Sequence, residues 1–254
     1  MAGELISVEE AQRRALAPVR PLGAERVAVT EALGRVLGED VVAPEDVPPH
    51  DNSAMDGYAV RTADAVDGAE LRVIGEVAAG QVATRALAAG EAYRIMTGAP
   101  IPPGADAVIM QEHCERAGEV VRLRRGVKLR DHIRDRGEDV RSGEVVLRRG
   151  VTLRAAELGT LASARRAQVA VTRRPQVAIL STGDELRDAD QPLDPGAIAD
   201  TNSYALAALV REAGGEPRVS PIVRDDPALL GAAIDDARRA DLIVSTGGVS
   251  VGEH

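Results

Sequence analysis

The pattern of apolar and polar positions is clearest in the last third of the chain, where short apolar runs alternate with amphipathic stretches. The apolar runs predict strands at 177–180, 219–223 and 242–244, and helical spacing predicts helices over 202–212 and 227–239. Strands that alternate with helices of this length predict a βαβαβ unit with a parallel sheet. Such sheets bind ligands beyond the carboxyl ends of their strands, so the loops after the three strands are the first candidates for a site.

Helical spacing also occurs outside this region. Ser7 and Glu10 stand at the separation of a capping box, and the residues that follow predict a helix over 8–16. A second helical stripe begins at Thr30, and a third occupies 155–164. These stretches predict a helical unit made of two separate parts of the chain.

Between the two parts, short alternating runs such as 71–74 and 120–123 are broken by Gly and Pro. This texture is typical of β strands. We therefore predict an α/β multidomain fold in which a β-rich domain is inserted into a helical unit. The predicted parts are a first helical part at 1–43, the β-rich domain at 44–142, a second helical part at 143–172, and a parallel α/β domain at 173–254.

The loops after the first two predicted strands carry carboxylates. The first loop contains Ser181, Thr182, Gly183, Asp184 and Glu185. Taken by itself, this composition favours a plain turn with a solvated Glu, and only the position at the end of a strand favours a ligand or metal site. In the second loop, an Asp before Pro227 can cap the following helix, which leaves Asp225 to share a divalent cation with Glu185. Helix capping alone remains the alternative for this loop.

The loop after the third strand is rich in glycine, with Gly247, Gly248 and Gly252 around Ser250. Successive backbone N–H groups in such a loop can receive an anion. The loop lacks the ending of a Walker P-loop, and its glycine spacing differs from the dinucleotide fingerprint. The same residues match the nucleophile elbow of hydrolases, but no acid and histidine follow Ser250 at a separation that closes a triad.

Composition narrows the class of protein. Thirty-one basic and forty acidic residues give a net charge of -9, which argues against non-specific nucleic-acid binding, and the absence of Phe and Trp excludes base-stacking platforms. The single Cys114 excludes an internal disulfide and a thiolate zinc site. Without a long apolar run, a cytoplasmic protein with no membrane partner is expected.

Two polar loops lie outside the predicted sheet, at 51–60 and 94–106. Asx turns and Pro/Gly punctuation explain their composition without any function. Together with three further segments, however, they resemble segments of one protein family, and all five occur in the same order as in that family. The five segments are DNSAMDGYAVR (51–61), RIMTGAPIPPGADAVI (94–109), IRDRGEDVRSGEVVL (133–147), STGDEL (181–186) and STGGVSVGEH (245–254).

These segments resemble the molybdopterin molybdenumtransferase family, the MoeA-type enzymes related to the gephyrin E domain. The resemblance implies an enzyme of molybdenum cofactor biosynthesis that inserts molybdate into adenylated molybdopterin and releases AMP with the help of Mg2+. It also implies a homodimer with a helical dimerisation domain, an inserted β domain and a three-layer α/β domain. A molybdopterin adenylyltransferase is the implied partner.

The resemblance also assigns residues. Asp56 and Thr97 would be catalytic groups contributed by the β domain, and Glu185 and Asp225 would be catalytic groups and ligands of Mg2+. The cofactor-binding residues would be Ser181, Thr182, Gly183, Gly247, Gly248, Ser250 and Gly252.

The sequence departs from the family pattern at one point. It ends at His254, before the KPGKP and PGNP segments and the C-terminal β domain of the family. We therefore expect an incomplete chain. The alternative function is a non-catalytic dimeric scaffold that binds molybdopterin.

Overall fold

The computed structural model describes residues 6–247, which form two compact units. One continuous segment, 40–147, forms the insert unit, and 6–39 together with 148–247 form the sheet unit. The finer division of the chain into four domains stays a prediction. Within 6–247, no helix has the length and apolar character needed to cross a membrane.

The sheet unit begins with helix α1 (Val8–Leu16) and strand β1 (Ala24–Ala28). The predicted bounds of the first helix are confirmed. Its start is stabilised as the spacing indicated, because the Glu10 amide donates to the Ser7 hydroxyl at 3.2 Å and satisfies one of the free N–H groups of the first turn.

The helix predicted from Thr30 is wrong, because only a single 3-10 turn forms, at Val29–Glu31. Gly34 then adopts a φ of +74°, which ends any right-handed helix. The amide of Gly34 donates to the carbonyl of Leu153 at 2.8 Å, so the backbone pairs with a distant segment instead of with itself. Tertiary pairing overrides the local apolar spacing here.

The insert unit is built from short strands and one 3-10 turn (Gln111–His113). The strands are β2 (Val41–Val42), β3 (Asn52–Ser53), β4 (Gly57–Val60), β5 (Glu70–Val77), β6 (Glu91–Ile95), β7 (Ala107–Met110), β8 (Cys114–Ala117), β9 (Val120–Leu123), β10 (Ile133–Arg134) and β11 (Val145–Leu147). Six of them form one sheet in the order β7-β4-β6-β5-β9-β8. Tyr58 and Ala59 belong to different apolar clusters, because neighbouring residues of a strand face opposite sides.

The sheet unit then continues to residue 247. Its elements are α2 (Ala155–Ser163), β12 (Gln168–Thr172), β13 (Gln176–Ser181), β14 (Leu186–Arg187), β15 (Ile198–Ala199), α3 (Asn202–Glu212), β16 (Glu216–Val219), α4 (Pro227–Ala237) and β17 (Leu242–Thr246). Strand β12 pairs with β1 as an antiparallel ribbon. The two stretches predicted to be helical therefore also contain two strands each: β1 and β2 lie in 1–43, and β11 and β12 lie in 143–172.

A parallel sheet with the strand order β16-β13-β17 confirms the predicted βαβαβ unit. The middle strand differs from its predicted position. It covers Glu216–Val219 and not 219–223, because Gln176 to Ile179 of β13 pair with these residues. Val223 keeps only an isolated parallel bridge to Thr182.

Strand β13 is buried on both faces. Val177 and Ile179 pack with Ala207 of α3, whereas Ala178 and Leu180 pack with Ala237 of α4. Because the side chains of a strand alternate between its faces, the two helices cover opposite faces of β13. The loop after Ser181 therefore emerges between two covered faces, at the carboxyl edge of the sheet.

Candidate ligand-binding site

The carboxyl ends of β13 and β17 are joined directly. The Thr182 amide donates to the Thr246 carbonyl at 3.1 Å, and the Thr182 hydroxyl donates to the same oxygen at 3.3 Å. The Gly183 amide donates to the Val223 carbonyl at 3.1 Å. We call residues 181–185, 223–226 and 245–247 the rim.

Two glycines of the rim have left-handed backbone conformations, with φ of +152° at Gly183 and +116° at Gly247. A Cβ at Gly183 would lie 2.6 Å from Oε2 of Glu185, and a Cβ at Gly247 would overlap Oγ1 of Thr182. The Glu185 carboxylate therefore lies against Gly183, and Thr182 lies against Gly247. At Gly247 both the backbone conformation and the contact with Thr182 require glycine, whereas at Gly183 the conformation alone favours it, because the Glu185 carboxylate ends a flexible side chain.

The two aspartates of the second loop have different environments. Asp226 caps α4, because its Oδ1 accepts from the amides of Ala228 at 2.7 Å and Leu229 at 3.1 Å. Capping thus accounts for Asp226 and not for Asp225. Within residues 6–247, neither Asp225 nor Glu185 forms an ion pair, and both residues are exposed.

Arg224 connects two segments of the rim. Its Nε donates to Oδ1 of Asp184 at 3.2 Å, so the loop after β16 contacts the loop after β13 through an ion pair. Both side chains are well exposed, and the pair contributes little to stability. It does bring one guanidinium to an edge that otherwise carries carboxylates.

The described residues do not form a closed metal cage. Among residues 6–247, no three His, Cys, Asp or Glu side chains come together in a way that could hold a metal ion. Mg2+ often uses only one or two carboxylates and takes its other ligands from water and substrate phosphates. Among the described residues, Glu185 and Asp225 are therefore not part of a metal site formed by the protein alone.

A cluster of buried polar side chains includes Ser181 of the rim and two residues at the start of α3. Ser181, Asp200 and Ser203 are 1%, 4% and 3% exposed. The Ser203 amide donates to Oδ1 of Asp200 at 3.1 Å. Burial raises the pKa of Asp200, but hydrogen bonds from Ser203, Ser181 and Asn202 outweigh this effect and lower that pKa below its usual value.

Sequence reasoning missed this cluster. Asp200 and Ser203 have the separation of a helix cap at the start of α3, and that signal alone points to helix capping. The burial of Asp200 behind Ser181 depends on the packing of α3 against β13, which no local pattern contains.

In the insert unit, the structure brings Asp56 and Thr97 together. Both the amide and the hydroxyl of Thr97 donate to Oδ1 of Asp56 at 2.8 Å. The pairing of Gly57 with Ile95 in neighbouring antiparallel strands places the two residues side by side. The two hydrogen bonds from Thr97, supported by the charge of Arg94, lower the pKa of Asp56.

Arg94 is a second feature that sequence reasoning missed. Its guanidinium carbon lies 5.3 Å from the centroid of the Tyr58 ring, a cation–π contact. It also donates to the Gly57 carbonyl at 3.3 Å and to Oε1 of Gln111 at 2.6 Å. These contacts hold a positive charge near Asp56.

A cavity of about 300 Å³ lies between α4 and β17, next to the rim. Its polar lining at the rim comes from Thr182, Ser245 and Gly247, and its remaining walls are Leu180, Leu230, Ile234 and Ile243. The predicted glycine loop begins at this point. Gly248, Ser250 and Gly252 lie outside the described residues, and their roles stay predictions.

Comparison with known families now identifies the class of protein. Residues 6–164 match the family described as "MoeA N-terminal region (domain I and II)", and residues 178–254 match "Probable molybdopterin binding domain". The chain is therefore an α/β protein in which a MoeA-type N-terminal region is followed by a domain of the family described as probable molybdopterin binding. The chain belongs to the MoeA family.

Its relatives are considerably longer than the chain itself. It is 42% identical over 255 residues to "Molybdopterin molybdenumtransferase 2" of Mycobacterium tuberculosis, with 98% of this chain and 63% of the relative covered. It is 44% identical over 236 residues to "Molybdopterin molybdenumtransferase" of a Nostoc species, with 91% of this chain and 54% of the relative covered. The chain spans roughly half to two thirds of these curated relatives.

A solved structure shows the same fold. The crystal structure of the molybdopterin biosynthesis protein moeA from Pyrococcus horikoshii OT3 superposes with a TM-score of 0.90 at 38% identity. The match covers 97% of this chain and 68% of that protein. A second structure from the same organism gives a TM-score of 0.85 at 34% identity and covers 96% of this chain and 64% of that one.

Proposed function

We propose that the chain carries the substrate-binding part of a molybdopterin molybdenumtransferase, which inserts molybdate into adenylated molybdopterin and releases AMP. The observation that supports this function best is the rim itself. In a region that matches a probable molybdopterin binding domain, it leaves Glu185 and Asp225 exposed and without ion pairs among the described residues. Exposed carboxylates at the ligand-binding edge of a parallel sheet are suited to chemistry, since folding makes no use of their charge.

The charges of the ligand and the rim require a cation. Adenylated molybdopterin and molybdate are both negatively charged, and the Glu185 and Asp225 carboxylates would repel them. We propose that Mg2+ is bound by these two carboxylates together with phosphate oxygens and water, so that the local charge is reversed. The ion supplies charge neutralisation, while Arg224 and the glycine loop supply further contacts to the anion.

The hydrogen bonds of the rim restrict which groups contact phosphate. The amide and hydroxyl of Thr182 and the amide of Gly183 donate to protein carbonyls. We therefore expect Ser181, Thr182 and Gly183 to shape the binding site and accept hydrogen bonds, whereas the loop from Gly247 to Gly252 provides donors. Asp56 and Thr97 form the second group of catalytic residues. The two hydrogen bonds from Thr97 keep the Asp56 carboxylate ionised.

We also propose a homodimer in which the parts at 1–43 and 143–172 form the dimerisation domain. Helix α1 supports this, because none of its residues is buried and its apolar Val8 and Leu16 are 69% and 67% exposed. The helices on opposite faces of β13 support the three-layer form of the α/β domain. A molybdopterin adenylyltransferase is the partner that would supply the substrate.

The proposed function is tested by equilibrium binding of adenylated molybdopterin to the chain with and without Mg2+, followed by measurement of AMP release after molybdate is added. We expect Mg2+ to strengthen binding and Asp225→Ala to weaken the Mg2+-dependent binding about tenfold or more, as loss of a metal ligand or its support does. Dimer formation should be unaffected by this variant.

Asp226→Ala is the matched control, since it removes the neighbouring carboxylate that caps α4. It should lower the free energy of unfolding by about 1 kcal/mol and leave the Mg2+ dependence intact. Absence of binding by the unmodified chain would contradict the proposal. Binding without AMP release would favour the non-catalytic scaffold instead.

A further inference from the structure

Asp56, one of the proposed catalytic groups, has one carboxylate oxygen that the fold does not use. Both Thr97 donors bind Oδ1, and no hydrogen bond from residues 6–247 reaches Oδ2. Oδ2 is therefore the oxygen available to a ligand. Because the Asp56 side chain is short, the position of Oδ2 depends on how firmly the backbone at residues 56 and 57 is held.

Two successive carbonyls of this backbone accept hydrogen bonds. The Gln111 amide donates to the Asp56 carbonyl at 3.1 Å, and Nη1 of Arg94 donates to the Gly57 carbonyl at 3.3 Å. Nη2 of Arg94 also donates to Oε1 of Gln111 at 2.6 Å, so the two donors are themselves joined. We call this closed ring of Asp56, Gly57, Arg94 and Gln111 the clamp.

The guanidinium of the clamp is itself held in place. Arg94 lies on β6 and Gln111 directly follows β7, so the Arg94 side chain crosses β4, which lies between these strands. Tyr58 of β4 pairs with Arg94 and is 4% exposed, and its ring lies 5.3 Å from the guanidinium carbon. A planar guanidinium carries several donors in a rigid fork, so it can bind both acceptors at once.

We propose that Arg94 is a positioning residue for Asp56: through the Gly57 carbonyl and Gln111 it fixes the backbone at residue 56, so that Oδ2 of Asp56 keeps the position that the reaction requires. The geometric part of this inference stands on the contacts of the clamp, and its consequence for turnover rests on the proposed function. Arg94 itself contacts no substrate in this scheme.

The same sheet offers a matched control. Arg72 of β5 also reaches a neighbouring strand, where Nη2 donates to Oε1 of Glu91 at 2.6 Å, and it forms no hydrogen bond with the clamp among the described residues. Glu91 keeps its bonds from Arg85 at 2.7 and 2.8 Å when Arg72 is replaced. Arg94→Met and Arg72→Met each remove one cross-strand guanidinium and keep an unbranched side chain.

Amide hydrogen exchange of Gln111 and Thr97 tests the geometric part, because both amides donate to Asp56. After correction for global stability, Arg94→Met should accelerate exchange of the Gln111 amide about tenfold and of the Thr97 amide about threefold, whereas Arg72→Met should change either by less than about twofold. Gln111→Leu, at an exposed position, should accelerate exchange of the Thr97 amide as Arg94→Met does. Adding it to Arg94→Met should change that rate by less than about twofold, because both changes break one ring.

Unchanged exchange in Arg94→Met, an equal effect of Arg72→Met, or additive effects of the two clamp variants would overturn the inference. If Arg94→Met does not fold, Gln111→Leu alone decides, since it removes the same link between Arg94 and the Asp56 backbone. Unchanged exchange of the Thr97 amide in that variant would then overturn the inference.

Steady-state AMP release from adenylated molybdopterin and molybdate tests the consequence for turnover. Arg94→Met should lower kcat about tenfold and leave KM within about twofold, because misplacement of a catalytic group affects the reaction more than substrate binding. Arg94→Lys, which keeps a charge and at least one donor, should lower kcat less than about threefold, and Arg72→Met should leave kcat within about twofold.

An unchanged kcat in Arg94→Met together with faster exchange would show that Arg94 has only a structural role, which also overturns the inference. If the unmodified chain releases no AMP, the transferase proposal is contradicted, and the exchange measurement alone decides whether Arg94 positions Asp56.

Discussion

The carboxylates at the two edges of the parallel sheet differ in their ion pairing. At the amino edge, Asp241 accepts from Nη1 and Nη2 of Arg173 at 2.8 and 2.7 Å and from the Gln176 amide at 2.8 Å. At the carboxyl edge, neither Glu185 nor Asp225 has an ion pair within residues 6–247. The same strands therefore carry a firmly paired carboxylate at one end and, at the other, two exposed carboxylates without an ion pair beside Asp184, whose pair with Arg224 is well exposed.

The difference separates groups that stabilise the fold from groups available to a ligand. Bidentate pairing with Arg173, together with the Gln176 amide, lowers the pKa of Asp241 to about 2. Glu185 and Asp225 have no ion pair within residues 6–247, and they lie where parallel sheets bind ligands.

The largest effect is expected at Gly247, where the carboxyl edge is most tightly packed. Gly247→Ala should destabilise the chain by about 2–4 kcal/mol, because the new Cβ would overlap Thr182 in a backbone conformation unfavourable to L residues. Gly214→Ala is the control: it has a φ of +86° near the amino edge, and its Cβ would meet no atom within 4 Å. Urea unfolding should show a loss of only about 1 kcal/mol for the control. Equal losses of unfolding free energy in the two variants would mean that the contact between the new Cβ and Thr182 does not destabilise the chain.

An intermediate effect is expected for Asp241→Asn at the amino edge. At neutral pH it should lower the free energy of unfolding by about 1 kcal/mol, a value limited by the exposure of the pair. Because the folded state lowers the pKa of Asp241 from 3.8 to about 2, its contribution is fully present above the unfolded value of 3.8. The difference from the unmodified chain should therefore shrink as the pH falls from about 4 through about 2. A difference that stays constant over this range would show that charge is not its source.

The smallest effect is expected for Glu185→Gln. Because the Glu185 side chain has no ion pair among the described residues, its neutralisation should change the free energy of unfolding by less than about 0.5 kcal/mol. Thermal and urea unfolding at neutral pH are sufficient to measure this. A loss as large as that of Asp241→Asn would remove the contrast between the two edges.

Local patterns predicted the elements whose stabilising contacts are local. The capping box at Ser7 and Glu10 predicted α1, and apolar spacing predicted α3 with its observed bounds, Asn202–Glu212. The helix predicted from Thr30 failed because Gly34 and its partner Leu153 are far apart in sequence, and their pairing has no local signature. The displacement of β16 has the same cause, since its register with β13 is a tertiary property.

The candidate site shows the same limit. The loops with Glu185, Asp225, Asp56 and Thr97 could be found in the sequence, because their polar residues follow predicted strands or match family segments. The bond between Thr97 and Asp56 and the burial of Asp200 could not, because each depends on which strands and helices become neighbours.

The amino-acid order by itself determined the alternation of strands and helices, the acidic residues after the strands and the family to which the chain belongs. Only the tertiary structure decided which of those acids are neutralised. That outcome depends on whether a guanidinium lies within hydrogen-bonding distance, as Arg173 does for Asp241, and such distances are set by how distant strands and loops pack together.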